Sequence, residues 1–320
     1  MKGTLRTIAA AVLIAAAGAA GAQTYPNKPV RFVVAFAPGG PADLVGRLIA
    51  QRIGDQWGQQ VIVENRGGAG GAVAAQAVAR APADGYTVLV TTSSLAVTPA
   101  LNPNAGYDAE KDFIPVTLIA SSPNLFVAST QSGIKTLREA IDKAKSGKLN
   151  YGTAGAGTTP HLSAEYLFKV LGKVDVQHVP YKGAGPAMQA VVAGETELAS
   201  VAISAGVPFV KGGRAVGLAV TSNKRVPALP DVPTVAESGF AGFEDYTWVG
   251  LFFPAGTPPE MVAKLNAEAQ AALKSPDVRE KLSAAGFEPV GDGPKEFASY
   301  LKTELGKWAK VVKETGAKVE

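Results

Sequence analysis

The chain contains no cysteine, so neither a disulfide bond nor a catalytic or metal-binding thiol can form. The absence of thiols is compatible with an oxidising compartment. Histidine is almost as scarce: the sequence has two, His161 and His178, and no cluster of carboxylates accompanies either of them. A metal site would need several such ligands close together. We therefore expect no metal ion and no other cofactor.

Complete catalytic motifs are missing as well. Residues 202–206 are one residue short of a serine nucleophile elbow, and the histidine that should follow the serine does not occur beyond His178. Ser132 and Lys135 match a Ser-x-x-Lys pattern, but Lys-Thr-Gly is absent. The glycine-rich segments match neither the dinucleotide nor the P-loop pattern. We expect a protein that is not an enzyme and does not bind nucleotides.

Long apolar runs and strong charge bias are absent from most of the chain. The exception is a 13-residue apolar run at residues 8–20, preceded by two basic residues and ending in a small-x-small pattern. This arrangement is typical of a cleaved signal peptide, here residues 1–22, and predicts export to the periplasm with Gln23 as the new N-terminus. The formal net charge is +4 without a clustered basic face, so we expect no nucleic-acid partner.

Short β-branched runs alternate with amphipathic stretches, which is typical of an α/β protein with largely parallel sheets. The pattern predicts strands at 30–36, 61–64, 87–91, 149–152, 176–181, 198–203, 216–221 and 249–253. It predicts helices at 41–57, 71–79, 136–145, 160–171, 186–193, 258–273 and 294–315.

Two segments are predicted to cross between lobes. One is residues 113–129, where prolines interrupt apolar runs, and the other follows the strand that ends at Thr221. If both cross, residues 23–124 and 222–320 form a discontinuous lobe 1, and residues 125–221 form lobe 2. Clefts between domains are favoured ligand sites.

A glycine loop joins the first predicted strand to the first predicted helix. Gly39 and Gly40 lack side chains, so their N–H groups can approach a ligand closely. The helix start adds about half a positive charge. Such a loop can bind an anion without a lysine or arginine. Asp43, in the first turn, is expected to cap the helix.

A second glycine loop, residues 151–161, repeats this order of strand, glycines, hydroxyl residues and proline. Either Thr158 or Thr159 would cap the helix, and the other could face a ligand. Two helix starts in different lobes would suit a ligand with one or two carboxylates. Glycine loops before helices are also ordinary tight turns, which leaves a structural alternative open. Ser93 and Ser94 follow a strand and either reach into the cleft or form a turn or cap.

A series of different short motifs occurs along the mature chain. They are Tyr25-Pro26-Asn27-Lys28-Pro29-Val30, Pro38-Gly39-Gly40, Glu64-Asn65-Arg66, Ala83-Asp84-Gly85-Tyr86-Thr87, Asp112-Phe113, Gly155-Ala156-Gly157-Thr158, Tyr181-Lys182-Gly183, Gly194-Glu195 and Pro233-Thr234. In these motifs the chain resembles the Bug family, the substrate-binding proteins of tripartite tricarboxylate transporters. Thr98-Pro99 and Glu197 depart from the family pattern and bear on the identity of the ligand. The resemblance implies a type II periplasmic binding fold: two α/β lobes, a ligand cleft between them and two crossing segments.

The resemblance also implies how the cleft works. Backbone groups of the first loop would hold the ligand's carboxylate, and the second loop would engage the rest. With the two serines, the candidate ligand-binding residues are Ala37, Pro38, Gly39, Gly40, Ser93, Ser94, Thr153, Ala154, Gly157, Thr158, Thr159, Tyr181, Gly183 and Ala184. We expect a monomer that delivers a small organic acid to membrane permease subunits. The alternatives are a sensor component for a signalling receptor and a lobed enzyme acting on a small carboxylate.

Overall fold

A computed structural model describes residues 25–147 and 149–318, so the predicted signal peptide lies outside the described residues. The strands are β1 Val30–Val34, β2 Val61–Asn65, β3 Thr87–Thr92, β4 Phe113–Ser129, β5 Asn150–Thr153, β6 Gln177–Pro180, β7 Leu198–Ala202, β8 Ala215–Val220, β9 Tyr246–Pro254 and β10 Glu288–Pro289. The helices are α1 Pro41–Trp57, α2 Ala72–Ala79, α3 Ser94–Leu101, α4 Leu137–Ser146, α5 Thr159–Glu165, α6 Ala184–Ala193, α7 Ile203–Lys211, α8 Pro259–Lys274, α9 Pro276–Ala284 and α10 Pro294–Thr315. A π-helical turn, Tyr166–Leu171, continues α5.

The strands form one connected path in the order β2-β1-β3-β9-β4-β7-β5-β6, while β8 and β10 both pair with β4. At the two ends of the path the pairings β1–β2, β1–β3, β5–β6 and β5–β7 are parallel. In the middle, β9 and β4 run antiparallel to their neighbours. The fold is therefore α/β with two parallel sheets joined through antiparallel strands.

Strand β4 belongs to both halves of the molecule. From Phe113 to Pro123 it pairs with β9, and from Asn124 to Ser129 it pairs with β7 and β8. The side chains on the two sides of this point pack into separate cores. Lobe 1 is built on a core that includes Phe32, Phe252 and Phe297. Lobe 2 is built on clusters that include Phe168 and Met188.

The lobe boundaries predicted from the sequence stay a prediction, but the packing bears on the second one. Val235 and Phe243 are buried in the same cluster as Phe168 of lobe 2, and Val232 is buried beside Met188. The segment after Thr221 therefore packs on lobe 2. By this packing, the chain returns to lobe 1 near β9 and not directly after β8.

Helix termini follow local sequence. Helix α1 begins with Pro41 after an extended Gly40 and ends at Gly58, whose φ of +63° is the left-handed conformation that glycine favours. The sequence pattern did not predict three of the helices, α3, α7 and α9, and the first two contain Pro99 and Pro208. Proline inside a helix removes a backbone hydrogen bond and is rare there, so the sequence of such a segment does not indicate a helix. The described helices include none that is long and apolar enough to cross a bilayer.

Candidate binding cleft

The first glycine loop meets lobe 2 across the cleft. The N–H of Ala37 donates to the carbonyl oxygen of Lys182 over 3.0 Å. A Cβ atom on Gly183 would lie 3.1 Å from the backbone nitrogen of Ala37, and one on Gly39 would lie 3.6 Å from Gly185 Cα. The first loop of lobe 1 thus packs against the start of α6 in lobe 2, and glycines allow this close approach.

Asp43 holds the first loop in place. Its carboxylate is 6% exposed and accepts the N–H of Gly39 at 3.0 Å, as expected of a helix-capping acid. Arg47 Nε and Asn65 Nδ2 donate to the other carboxylate oxygen, each over 2.9 Å. The first glycine loop was predicted to bind an anion through its backbone N–H groups. Two of these groups, those of Ala37 and Gly39, already have acceptors within the protein. The N–H of Gly40, at the start of α1, has no acceptor among the described residues.

The second loop is supported by a pair of histidines behind it. His178 Nε2 lies 2.7 Å from Thr153 Oγ1, which also accepts the N–H of Gly155 at 3.1 Å. Thr158 Oγ1 donates to the Gly155 carbonyl oxygen over 2.8 Å. His161 stacks on His178 with ring centroids 4.1 Å apart. The loop conformation is thus fixed by hydrogen bonds from its own hydroxyl groups and from an imidazole.

Both histidines are uncharged at neutral pH. Burial, together with a smaller effect of the charge on Lys169, lowers the pKa of His161 to about 4. Burial and the neighbouring His161 lower the pKa of His178 to about 3. The rings therefore support the loop and supply no positive charge to an anion.

Hydroxyl groups from both lobes join in a buried chain. Ser93 Oγ lies 3.1 Å from Thr159 Oγ1, which in turn lies 2.6 Å from Thr247 Oγ1. Thr247 donates to Asn124 Oδ1 over 2.7 Å, and Asn124 Nδ2 donates to Asp245 Oδ2 over 2.7 Å. The chain runs from the cleft to the point where β4 and β9 pass between the lobes.

A small cavity of about 20 Å³ lies between the loops. It is lined by Phe36, Pro41, Thr92, Ala154, Thr158, Pro160, Ala184, Ala202 and Thr247. A volume of this size holds about one water molecule. A carboxylate of several carbon atoms therefore needs the lobes to part before it can enter.

The remaining candidate residues fall into two groups. Some make contacts between the lobes: Gly157 accepts a hydrogen bond from Thr98 Oγ1 through its carbonyl oxygen at 3.2 Å, and Ser93 contacts Thr159. Others form local turns: Ser94 accepts a bond from Thr92 Oγ1, and the N–H of Tyr181 donates to the Thr153 carbonyl oxygen. The structure places both glycine loops at the same small cavity. It gives Ser94 and Tyr181 local structural contacts.

Sequence reasoning missed Thr92 and Thr247, which line the cavity. Thr98, noted there only as a departure from the family pattern, donates to the carbonyl oxygens of Gly70 in lobe 1 and of Gly157 in the second glycine loop. Thr92 ends β3 beside the two candidate serines, so its position was a usable signal. Thr247 is 88 residues from Thr159 in sequence. Nothing in the local pattern distinguishes it from any other threonine in a strand.

Two larger cavities lie outside the cleft. One of about 590 Å³ is behind the second loop and is lined in part by His161, Glu165 and His178. The other, of about 280 Å³, lies beside α10 and is lined in part by Asp245 and Lys307. Within residues 25–147 and 149–318, the structure has no group of three or more histidine, aspartate or glutamate side chains that could hold a metal ion.

Comparison with known proteins identifies the family. The model of the tripartite tricarboxylate transporter family receptor matches residues 45–317. BugT of Bordetella pertussis is 35% identical over 316 residues, which cover 97% of each chain. A UPF0065 protein from the tcbD-tcbE intergenic region of Pseudomonas sp. strain P51 is 37% identical over 97% of this chain and 93% of its own.

Solved structures agree. The periplasmic binding protein BugD superposes with a TM-score of 0.89 at 34% identity, covering 92% of this chain and all of its own. Rpa4515 of R. palustris with adipate gives 0.88 at 37% identity with the same coverage. MatC of Rhodopseudomonas palustris with bound malate gives 0.85 at 38% identity, covering 90% of this chain and all of its own. The chain therefore belongs to the tripartite tricarboxylate transporter receptor family, has the two-lobed fold of its periplasmic binding proteins, and is a solute-binding protein related to BugT and BugD.

Proposed function

We propose that this protein captures a small organic carboxylate in the periplasm and delivers it to the membrane permease of a tripartite tricarboxylate-type transporter. The observation that supports this most is that both glycine loops line one small cavity between the lobes, the first through Phe36 and Pro41 and the second through Ala154, Thr158 and Pro160. Adipate and malate, bound to the related Rpa4515 and MatC, are both dicarboxylates, which supports an acid of this class as the ligand.

The first contact of the ligand would be at the start of α1. The free N–H of Gly40 and the helix dipole favour a negative charge there. A carboxylate could also accept the N–H of Ala37 once the bond to Lys182 breaks as the lobes part. The ligand would then replace a bond between the lobes by two bonds to itself. The remaining candidate residues of the second loop would close over its other end.

Binding would proceed by opening and closing of the lobes. The cavity of about 20 Å³ is too small for malate, so a more open form must receive the ligand. The lobes then close on the ligand as far as its size allows, which removes the carboxylate from water and adds contacts from the second lobe. A ligand shifts the equilibrium toward the closed form only by its extra affinity for that form. The closed surface would be what the permease recognises.

Thermal melting of the mature protein against a panel of acids tests this proposal. The panel contains malate, adipate, a tricarboxylate, a monocarboxylate and the diamide of adipate, which has the same shape without charge. A ligand at about a hundred times its dissociation constant adds about 2.7 kcal/mol to the free energy of unfolding. We expect at least one acid to raise the melting temperature and the diamide to leave it unchanged. If no acid raises it, the proposal is wrong.

Delivery to a permease needs a separate test. The acid identified by melting should enter cells that carry both the permease genes and this protein, and its uptake should fall when this protein alone is deleted. Uptake that is unaffected by the deletion would limit the protein to binding or sensing.

A further inference from the structure

Asp245 lies where the chain passes between the lobes, immediately before β9. Its backbone N–H donates to the Thr221 carbonyl oxygen over 3.1 Å, and its carbonyl oxygen accepts from Thr221 Oγ1 at 2.5 Å. Thr221 Oγ1 also accepts the N–H of Asn124 at 2.8 Å. We call these three residues, Asn124, Thr221 and Asp245, the hinge, because they join β4, the end of β8 and the start of β9.

The Asp245 side chain also contacts both lobes. Its Oδ2 accepts hydrogen bonds from Asn124 Nδ2 and from Ser163 Oγ on α5 of lobe 2. Its Oδ1 is buried without a hydrogen bond in the described part of the chain, and Lys307 Nζ on α10 of lobe 1 lies 3.6 Å from it. The Asp245 carboxyl group, which is 5% exposed, is thus buried between groups of both lobes.

An ionised Asp245 fixes the direction of the buried hydrogen-bond chain. A carboxylate only accepts, so Asn124 must turn its NH₂ group toward Asp245 and its Oδ1 toward Thr247. Thr247 gives its single proton to Asn124, so Thr159 must donate to Thr247 and Ser93 must donate to Thr159. Every hydroxyl proton then points toward the hinge, and Thr247 presents only a lone pair to the cavity that it lines.

This direction of the hydrogen-bond chain is unfavourable for an anionic ligand, because Thr247 then offers the ligand no proton. Resting on the function proposed above, we propose that Asp245 is a positioning residue that takes up one proton from solvent when a carboxylate binds in the cleft. When Asp245 is protonated on Oδ2, it can donate to Asn124 Oδ1 once the amide turns over, while Ser163 Oγ continues to donate to Oδ2. Asn124 Nδ2 then donates to Thr247, whose own proton becomes free for the ligand. Neutralising Asp245 also removes a negative charge that repels the anion, so both effects act in the same sense.

The surroundings of Asp245 allow its carboxyl group to take up a proton at a pH near neutral. Burial raises the pKa of its carboxyl group to about 6, Lys307 opposes the rise and Glu304 adds to it. Helix α10 also brings Tyr300 close, and the flanking Glu244 and Tyr246 lie on its own segment. From α5 and β4 the groups that face it are Ser163 and Asn124. At neutral pH, Asp245 is mostly ionised without ligand, and an anion in the cleft raises its pKa further.

Solvent can reach Asp245 without passing through the cleft. The groove of about 280 Å³ beside α10 is lined by Leu162, Ser163, Tyr166, Gly242, Phe243, Glu244, Asp245, Lys307, Trp308, Lys310, Val311 and Glu314. Lys307 is 44% exposed and lies at this groove. A proton can therefore exchange with water while the lobes are closed on the ligand.

Isothermal titration calorimetry with malate and with adipate tests the inference. Between about pH 8 and about pH 6 we expect the affinity of the wild-type protein to rise, by at most about tenfold for each pH unit, because at most one proton is taken up. Titrations in two buffers of different ionisation enthalpy measure the number of protons taken up on binding. This number should equal the one given by the pH dependence of the affinity. Asp245→Asn should bind with a smaller pH dependence and without proton uptake. The ionisation of the ligand itself contributes equally to both proteins and cancels.

Two further variants keep the test decisive if Asp245→Asn does not fold. Lys307→Met removes the cation that lowers the pKa of Asp245, so the rise in affinity should move to higher pH. Asp292→Asn is the matched control. Burial raises the pKa of Asp292 too, but it accepts the N–H of Leu118 in lobe 1 and lies outside the chain to the cleft. Its pH dependence should equal that of the wild type.

The outcomes separate the two claims. Binding with no pH dependence beyond that of Asp245→Asn, or a Lys307→Met profile that does not move, overturns the role of Asp245 and leaves the proposed function intact. If malate, adipate and the rest of the acid panel fail to bind at every pH, the proposed function is wrong and the role of Asp245 is wrong with it.

Discussion

The backbone nitrogen of Ala37 and the carbonyl oxygen of Lys182 form a hydrogen bond of 3.0 Å that joins the two lobes without any side chain. Such a bond can be kept by almost any sequence, provided that the backbones approach closely. The approach depends instead on the glycines beside it, so the contact between the lobes can be tested by adding single methyl groups.

Gly185→Ala should weaken ligand binding without weakening the fold. Gly185 is the second residue of α6, where alanine is a better helix former, but its Cβ would lie 2.5 Å from the Pro38 carbonyl oxygen across the cleft. We expect the affinity for a carboxylate to fall by about tenfold, since overpacking costs about 1–3 kcal/mol. The measurement is calorimetric titration beside urea unfolding. Gly306→Ala, on α10 with no atom within 4 Å, is the control and should bind normally. Equal affinities would mean that closure does not need this contact.

Asp43→Ala should loosen the first glycine loop. The substitution removes the acceptor of the Gly39 N–H and one of the two acceptors of the Asn65 amide, and it frees Arg47. Losing a side-chain cap at a helix start costs about 0.5–2 kcal/mol. We expect urea unfolding to give a free energy of unfolding lower by about that amount, together with weaker ligand binding. Asp142→Ala, at an exposed salt bridge on α4, should change neither quantity. If the Asp43→Ala variant binds the ligand with unchanged affinity, Asp43 does not hold the first glycine loop in its binding conformation.

The two histidines should destabilise the protein in mild acid. Their pKa values are lower in the folded protein, about 4 and about 3, than in an unfolded chain. The unfolded state therefore binds protons first, and stability falls as the pH drops below about 6.5. From about pH 7 to about pH 5, each histidine removes about 2 kcal/mol. His161→Gln should lose about that much less stability over the same range, measured by urea unfolding at both pH values. If the variant and the wild type lose the same free energy of unfolding between the two pH values, His161 is not a cause of the destabilisation in acid.

Glu304 should be one of the costlier side chains to remove from lobe 1. Its Oε2 accepts from Trp248 Nε1 at 3.1 Å and from Trp308 Nε1 at 3.0 Å, and the side chain is buried. Glu304→Met leaves two buried indole N–H groups unpaired, so we expect a loss of about 3 kcal/mol in urea unfolding followed by tryptophan fluorescence. Glu304→Gln keeps an acceptor oxygen and should lose about 1 kcal/mol. Equal losses for the two variants would mean that packing, not hydrogen bonding, matters there.

Much of the fold was accessible from the sequence because its helix boundaries are locally encoded. Helices α1 and α10 were predicted with the bounds that the structure has, since each begins with proline and ends at a glycine in the left-handed conformation. Helix α5 was predicted to run to Leu171, whereas it changes to a π-helical turn at Tyr166. That change depends on packing, which the spacing of apolar residues does not encode.

The cleft was accessible only in outline. The glycine loops could be found because strand, glycine, cap and proline follow one another within a few residues. What each N–H group binds could not, because the acceptors of Ala37 and Gly39 are Lys182 and Asp43, one of them in the other lobe. Asp245 gave no signal at all: its neighbours Asn124 and Ser163 are 121 and 82 residues away in sequence.

Strand β4 is a single 17-residue strand that serves both lobes, with Pro123 near its middle. Proline has no N–H, so Pro123 donates no hydrogen bond at the point where the pairing of β4 with β9 ends. Because β4 pairs with β9 up to this proline and with β7 and β8 beyond it, a bend of β4 at this point would turn one lobe relative to the other. The positions of the two lobes are therefore coupled through one continuous strand.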